Sequence, residues 1–127
     1  MKLIQGIHHI SMNCAKGAEY EKVLTFYRDI LGLAVVREWD GGVMLNAGGT
    51  LLEIFPNGDY VREKGAIRHF AFAVSDADAC AKAVTDAGYE VFIAPKDICI
   101  ASEPPLPARI AFCRGPLGEE IEFFCEK

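Results

Sequence analysis

The sequence predicts an α+β fold in which two βαβββ modules form a cupped mixed sheet. The first observation is a repeat: one strand, one helix and three strands occur in this order twice along the chain. The second is its length, since two copies of about 60 residues indicate paired modules rather than a solenoid of three or more units. Each predicted sheet has a helix on one face only, so its other face is free to line a site.

The chain has 127 residues, which suits a single domain. Its hydrophobic fraction is 51% and its charged fraction 24%, and both are ordinary for a globular protein. We therefore expect one domain over residues 1–127, with module 1 at about residues 4–60 and module 2 at about residues 65–127.

Module 1 begins with a predicted strand over residues 7–14. A helix follows over residues 17–31, because apolar residues recur there at helical spacing, and Gly32 ends it. Glycine pairs then separate three short predicted strands, over residues 33–39, 42–47 and 50–55.

Module 2 repeats this order, with a strand over residues 67–74 and a helix over residues 76–87 that Ser75 or Asp76 caps. Three further strands are predicted over residues 89–94, 108–114 and 119–125. Between the first two lies a proline-rich segment, residues 95–107, which we interpret as a loop. It is either an ordinary connection or the wall or lid of a pocket.

Two histidines stand at matching points, each in the first strand of its module. Because side chains alternate across a strand, His9 shares a face with Ser11 and Asn13. His69 shares a face with two alanines, and both histidines point away from the predicted helices. His8 takes the opposite face in this pattern, where we expect a hydrogen-bonded core residue.

Two carboxylates stand in the last strands of the modules, Glu53 in LLEIF and Glu122 in GEEIEFF. An ionised carboxylate among apolar neighbours is costly unless it is paired or bound to a cation. Alternation turns both carboxylates away from the helices, to the faces that carry the histidines. Taken singly, each is typical of an edge or salt-bridged residue.

Together, two imidazoles and two carboxylates suit one divalent transition ion such as Zn, Ni, Co or Mn. Two negative ligands balance the charge of the ion and account for the buried carboxylates. The sequence thus predicts a metal site formed by His9, Glu53, His69 and Glu122, either within one chain or across a dimer.

The composition argues against several other functions. The net charge is −5 and no basic stripe is present, so we expect neither nucleic acid nor a membrane as partner. No apolar run has the length of a membrane span, and the N-terminus does not resemble a signal peptide. The five cysteines are odd in number and widely spaced, which favours a reducing, cytoplasmic location.

Five segments resemble the vicinal oxygen chelate (VOC) superfamily, also called the glyoxalase, bleomycin-resistance and dioxygenase superfamily: HHISMNC, FYRDILGL, LLEIF, RHFAFAV and GPLGEEIEFF. The resemblance extends from about residue 4 to residue 125. It implies paired βαβββ modules around one metal ion, with the four ligands named above. It also implies a homodimer with two equivalent sites.

Within that superfamily, a fourth ligand at the position of Glu53 makes the sequence similar to glyoxalase I enzymes (lactoylglutathione lyases) and to methylmalonyl-CoA epimerases. Extradiol dioxygenases and fosfomycin-resistance enzymes use three protein ligands, and bleomycin-binding members lack the set. Asn57 matches a glutathione-contacting residue of some bacterial glyoxalases, whereas Asn13 stands where an arginine usually holds glutathione. Both asparagines are therefore candidate substrate-binding residues.

The resemblance implies a metal-dependent lyase or isomerase that removes a proton beside a carbonyl and converts a hemithioacetal to a thioester. Glu122 is the candidate catalytic base, and Glu53 assists or returns the proton. The alternatives are an epimerase of branched acyl-CoA, a thiol transferase, and a non-catalytic protein that binds or sequesters a small molecule. In each case the expected partner is a small molecule, and a carbonyl compound in the leading case.

Overall fold

The computed structural model describes residues 7–58 and 69–127, which belong to two compact units. Unit 1 contains β1 (His9–Asn13), α1 (Ala18–Leu24), β2 (Val35–Trp39), β3 (Gly42–Asn46) and β4 (Leu51–Phe55). Unit 2 contains β5 (Phe70–Ala73), α2 (Ala77–Asp86), β6 (Val91–Ile100), β7 (Leu106–Arg114) and β8 (Glu120–Glu126). The βαβββ order occurs twice, which confirms the predicted fold class.

The single-domain organisation stays a prediction. The predicted module limits at residues 4, 60 and 65 lie outside the described residues, as does the predicted start of β5 at residue 67. Across the two described ranges, no helix has the length and apolar character needed to cross a lipid bilayer.

Both sheets have the same strand order, β1-β4-β3-β2 in unit 1 and β5-β8-β7-β6 in unit 2. The first and last strands of each unit are parallel neighbours, while the other pairings are antiparallel. A parallel pair needs a long crossover connection, and here the helix and two strands provide it. The start and the end of each module are therefore side by side.

The core of unit 1 lies on the helix side of its sheet. Leu52 and Ile54 of β4 are at most 2% exposed, and Val23 of α1 is fully buried. Tyr27 is also fully buried, and its hydroxyl donates to the sulfur of Met12 in β1 at 3.9 Å. The residues between these on β4, among them Glu53, accordingly point to the opposite side.

The helix predicted over residues 17–31 is α-helical only as far as Leu24, and Thr25–Ile30 form a π-helical continuation. The wider turn is seen in the bond from the Leu31 amide to the Phe26 carbonyl, five residues back, at 2.9 Å. Gly32 follows with φ 76°, a conformation that suits glycine at a helix end. Apolar spacing alone does not separate these two helix types.

Helix α2 begins as predicted, and Asp76 rather than Ser75 caps it. The Asp76 carboxylate accepts a hydrogen bond from the Ala79 amide at 3.0 Å. The helix packs on its own sheet through Ala77, Ala81 and Val84, which are at most 5% exposed.

The interpretation of residues 95–107 as a loop is wrong. Strand β6 continues to Ile100 and β7 begins at Leu106, so the two form a long hairpin joined by residues 101–105. Proline is tolerated there because β6 is the edge strand, and the register shift between Ile93 and Lys96 places Pro95 at an irregularity. The role of this segment as the wall or lid of a pocket stays a prediction.

Candidate functional site

The strand register places one histidine and one carboxylate side by side in each unit. In unit 1, Glu53 is paired with Ser11, and His9 lies two residues before that serine. In unit 2, Glu122 is paired with Ala71, and His69 lies two residues before that alanine. The same diagonal arrangement therefore occurs in both sheets, as the repeat in the sequence predicted.

The two pairs also agree in distance and burial. His9 Nε2 lies 3.6 Å from Glu53 Oε1, and His69 Nε2 lies 3.2 Å from Glu122 Oε1. The histidine side chains are 40% and 39% exposed, whereas the glutamate side chains are 10% and 12% exposed. Each pair thus combines a sheltered carboxylate with a more exposed imidazole.

We call the side of each sheet that carries its histidine the histidine face. On this face of unit 1, Met44 is paired with Glu53, and Arg37 is paired with Met44. Arg37 Nη1 lies 3.6 Å from the Met44 sulfur. The sequence analysis did not identify Arg37 as a site residue. The available indication was its position in an exposed strand, two residues before Trp39.

The predicted substrate-binding residues Asn13 and Asn57 are in contact. The Asn13 side-chain amide donates to the Asn57 carbonyl oxygen at 2.5 Å. Backbone bonds join the segments that carry them, from the Cys14 amide to the Phe55 carbonyl and from the Gly58 amide to the Cys14 carbonyl. Asn13 is on the histidine face, four residues after His9, and its role in substrate binding stays a prediction.

His8 was predicted to be a core residue, and this is wrong because its side chain is exposed. Its Nδ1 lies 2.9 Å from Nδ1 of His9, and the two rings meet edge to face with their centroids 5.2 Å apart. This contact occupies one ring nitrogen of His9. The other nitrogen, Nε2, is the one directed at Glu53.

The histidine face of unit 2 is aromatic. The His69 and Phe112 rings are 5.1 Å apart, the Phe112 and Phe92 rings are 5.6 Å apart, and the Arg114 guanidinium lies 4.2 Å above Phe92. Small side chains accompany His69 along β5, since Ala71 and Ala73 are both exposed. This face therefore offers an apolar surface with open space beside Glu122.

The chemistry of the donor set fits a divalent transition ion, because imidazole nitrogens and carboxylate oxygens are both ligands of Zn, Ni, Co and Mn. Each unit brings together two of the four predicted ligands. Over the residues that the structure describes, no group of three or more His, Cys, Asp and Glu side chains is arranged to hold a metal ion. Each pair is thus a two-donor cluster within its own unit.

The chain matches the family model of the Glyoxalase/Bleomycin resistance protein/Dioxygenase superfamily over residues 6–123. It is similar to the metallothiol transferase FosB of Staphylococcus epidermidis, with 35% identity over 78 residues, which are 60% of this chain and 54% of that protein. The chain spans about half the length of the curated relatives it matches.

Two solved structures extend the comparison over the whole chain. A glyoxalase family protein from Bacillus anthracis has a TM-score of 0.72 and 25% identity, covering 100% of this chain and 99% of that one. TnmS3, an antibiotic binding protein from Streptomyces sp. CB03234, has a TM-score of 0.75, 17% identity and complete coverage (100%) of both chains. The second likeness, at its low identity, shows the fold alone.

Proposed function

The chain belongs to the Glyoxalase/Bleomycin resistance protein/Dioxygenase superfamily, and from this premise we propose that it is a metal-dependent, glyoxalase I-like enzyme that isomerises a hemithioacetal to a thioester. The observation that supports the proposal is the His–Glu pair found once in each unit, with matching register and burial. A protein that only holds a small molecule in an apolar pocket has no need of four ionisable donors.

In this proposal His9, Glu53, His69 and Glu122 together hold one divalent transition ion. The two carboxylates balance the charge of the ion, and the two imidazoles bind it as neutral ligands. A coordinated carboxylate no longer carries the free-energy cost of an unpaired charge in a sheltered position. When bound, the ion supplies Lewis-acid stabilisation of the negative charge that develops on the substrate oxygens. The chain is proposed to act as a homodimer with two equivalent sites, as its resemblance to the superfamily implies.

Glu122 is the proposed general base. It removes the proton from the substrate carbon that carries the sulfur and the hydroxyl group, and this proton is delivered to the adjacent carbonyl carbon. The hydroxyl proton passes to the former carbonyl oxygen, so that the first oxygen becomes the thioester carbonyl. The product is a thioester beside a new hydroxyl group, with no atom gained or lost. Glu122 lies between Ala71 and Phe112, and Glu53 lies between Ser11 and Met44. The small, exposed Ala71 supports the assignment, because it leaves one side of Glu122 accessible.

Glu53 assists in this scheme by returning the proton or by remaining a ligand. Asn13 and Asn57 are proposed to contact the thiol carrier of the substrate. Their mutual hydrogen bond uses one amide N–H and one carbonyl oxygen, so each side chain keeps further donors or acceptors for a polar ligand.

The variant Glu122→Gln tests the proposal, because it removes the basic oxygen and keeps the size of the side chain. We expect it to retain most of the bound metal and to lose turnover of the methylglyoxal–glutathione hemithioacetal by at least about 100-fold. Metal content measured by elemental analysis, alongside the rate of thioester formation, gives both readouts.

Glu21→Gln is the matched control, since Glu21 is an exposed residue of α1 and belongs to neither His–Glu pair. It should change neither readout. Full activity in Glu122→Gln would contradict the assignment of the base.

A second candidate is a thiol transferase that adds a thiol to an electrophile, and the 35% identity to the metallothiol transferase FosB favours it. The two reactions differ in their products. A transferase consumes thiol and electrophile to give a stable thioether, whereas the isomerase gives a thioester that releases its thiol on hydrolysis. Mass spectrometry of the product therefore separates them.

A further inference from the structure

The segment that precedes β1 places the ring of His8 against that of His9. Two hydrogen bonds hold this segment to the start of β4. The Leu51 amide donates to the His8 carbonyl at 3.0 Å, and the Thr50 hydroxyl donates to the Ile7 carbonyl. Nδ1 of His8 lies 2.9 Å from Nδ1 of His9, with the ring planes at 87° to each other. The backbone is therefore fixed where the two imidazoles meet.

Two imidazole nitrogens at this distance attract each other only when one carries a proton and the other presents a lone pair. A neutral imidazole has one proton for its two nitrogens, so the contact determines which tautomer each ring adopts. If His9 is the donor, its proton is on Nδ1 and its Nε2 presents a lone pair. If His8 is the donor, the proton of His9 is on Nε2 instead.

The distances around His9 indicate that His9 is the donor. A proton on its Nε2 would form a charge-assisted hydrogen bond to the Glu53 carboxylate, and such bonds are about 2.7–2.9 Å long. Nε2 and Glu53 Oε1 are 3.6 Å apart, whereas the two Nδ1 atoms are at ordinary hydrogen-bond distance. These distances place the proton of His9 on Nδ1 and the lone pair of Nε2 on the side of Glu53.

We propose that His8 is a positioning residue, which accepts a hydrogen bond from Nδ1–H of His9 and so keeps the lone pair of Nε2 available to the metal ion. The inference rests on the proposed function in one respect, since it takes His9 as a ligand through Nε2. It depends neither on the isomerisation nor on a particular substrate.

The exposure of His9 gives a reason for such a partner. Its side chain is 40% exposed, so without the contact to His8 water would compete for both ring nitrogens and the ring could turn. A partner that fixes the tautomer and orientation of a ligand histidine typically contributes about 10–100-fold to metal affinity. His8 would thus prepare the ligand before the ion arrives.

Two variants of similar size separate the acceptor of His8 from the bulk of its side chain. In His8→Asn the amide oxygen can still accept a hydrogen bond, whereas His8→Leu has no acceptor. His8 is exposed, so neither substitution disturbs the core.

The first readout is the tautomer of His9 in the metal-free protein, which the ¹⁵N chemical shifts of its ring nitrogens report. The spectra are recorded at about pH 8.5, where a histidine of ordinary pKa is neutral. We expect the wild type and His8→Asn to carry the proton on Nδ1. In His8→Leu the proton should move mainly to Nε2, while the spectrum of His69, which belongs to the other unit, stays the same.

The second readout is zinc affinity, measured by competition with a chelating dye. We expect the Kd for Zn²⁺ to rise about tenfold in His8→Leu and to change by less than about threefold in His8→Asn.

A proton on Nε2 of His9 in the wild type would overturn the inference, and so would a tautomer or a zinc affinity that His8→Leu leaves unchanged. The NMR measurement needs no metal, so it is independent of the proposed function. If the tautomer depends on His8 but the wild type binds no zinc, the metal-dependent function is refuted, while the control of the tautomer by His8 stands.

Discussion

The side chain of Glu53 is 10% exposed, and the imidazole of His9 lies 3.6 Å from one of its oxygens. Its strand neighbours Leu52 and Ile54 are at most 2% exposed. A carboxylate in such surroundings contributes little to folding, because its desolvation offsets what a single partner returns. We infer that Glu53 is retained for ligand binding at some expense of stability.

The variant Glu53→Leu tests this inference. A leucine of similar size removes the desolvation cost, and His9 is not left as a buried charge because its side chain is 40% exposed, so the metal-free variant should be at least as stable as the wild type. The stabilisation that added Zn²⁺ or Ni²⁺ gives to the wild type should be clearly smaller in the variant, which keeps three of the four proposed ligands. Urea titrations with and without metal measure both quantities.

A loss of several kcal/mol in the metal-free variant would show instead that Glu53 is a structural residue. Leu52→Ala provides the scale for comparison, since truncation of a buried leucine costs about 2–5 kcal/mol.

Single residues also show what the sequence could reveal. Alternation along short strands was sufficient to place His9, Glu53 and Glu122 on the correct faces, because their apolar neighbours determine the register. His8 was misplaced because it lies just before β1, where alternation no longer applies. The place of Arg37 on the histidine face depends on its register with Met44 and Glu53, and this is a cross-strand pairing that no local pattern encodes.

At the scale of elements, an ion-pair network joins helix α2 to strands β6 and β7 of its sheet. Arg109 of β7 donates two hydrogen bonds to the Asp78 carboxylate, at 2.6 and 3.0 Å, and a third to Asp97 of β6 at 3.2 Å. Lys127 contacts the same Asp97 oxygen at 2.8 Å. The hydrogen bonds from Arg109 hold the pKa of Asp78 below its ordinary value.

This network predicts how the stability of Asp78→Asn depends on pH. A carboxyl whose pKa is lower in the folded state contributes its full stabilisation above its unfolded pKa of about 3.9, and loses it as the pH falls through the folded value. The variant should therefore melt below the wild type at pH 7. The difference should persist near pH 4 and close only at lower pH, as followed by circular dichroism.

Asp86→Asn is the control, because Asp86 pairs with Lys82 on the same helix and both side chains are more than half exposed. Asp86→Asn should lower the melting temperature by less than Asp78→Asn does. A difference between wild type and Asp78→Asn that stays constant down to pH 2 would exclude the carboxylate as its cause.

The elements were predicted well where local signals are strong, as at the cap of α2 and the glycine after the first helix. The β6–β7 hairpin was missed because four prolines in one segment indicate a loop. The edge position that tolerates Pro95 appears only once the strand order is known, and Pro104 and Pro105 are in the hairpin connection. The π-helical turn was missed for a similar reason, since its bonds depend on how Phe26 and Tyr27 are buried.

At the scale of the whole molecule, the proposed ligand set needs both units, and they can come from one chain or from two chains of a homodimer. A mixing experiment separates the two arrangements. The double variant His9→Gln/Glu53→Gln inactivates unit 1, and His69→Gln/Glu122→Gln inactivates unit 2.

If each site combines unit 1 of one chain with unit 2 of its partner, refolding an equimolar mixture should restore about a quarter of the wild-type activity and metal content, because half of the dimers are mixed and each has one intact site. If each site lies within one chain, the mixture should remain inactive. Either variant refolded alone is the control, and activity in one of them alone would contradict the four-ligand proposal.

The duplicated fold was predictable from the sequence, because the order of strands and helix repeats and a glycine follows each helix, at Gly32 and Gly88. The sequence did not predict whether the His–Glu pairs of the two units combine within one chain or across two chains. That choice depends on contacts between surfaces rather than on local patterns.

The parallel pairing of first and last strands has a consequence for the order of events during synthesis. In each module the histidine leaves the ribosome early, and its carboxylate follows only after the helix and two strands have been made. A nascent chain therefore has no complete donor pair until the fourth strand of that module has joined its sheet. Because the proposed ion needs both pairs, its uptake would report that two modules have finished folding.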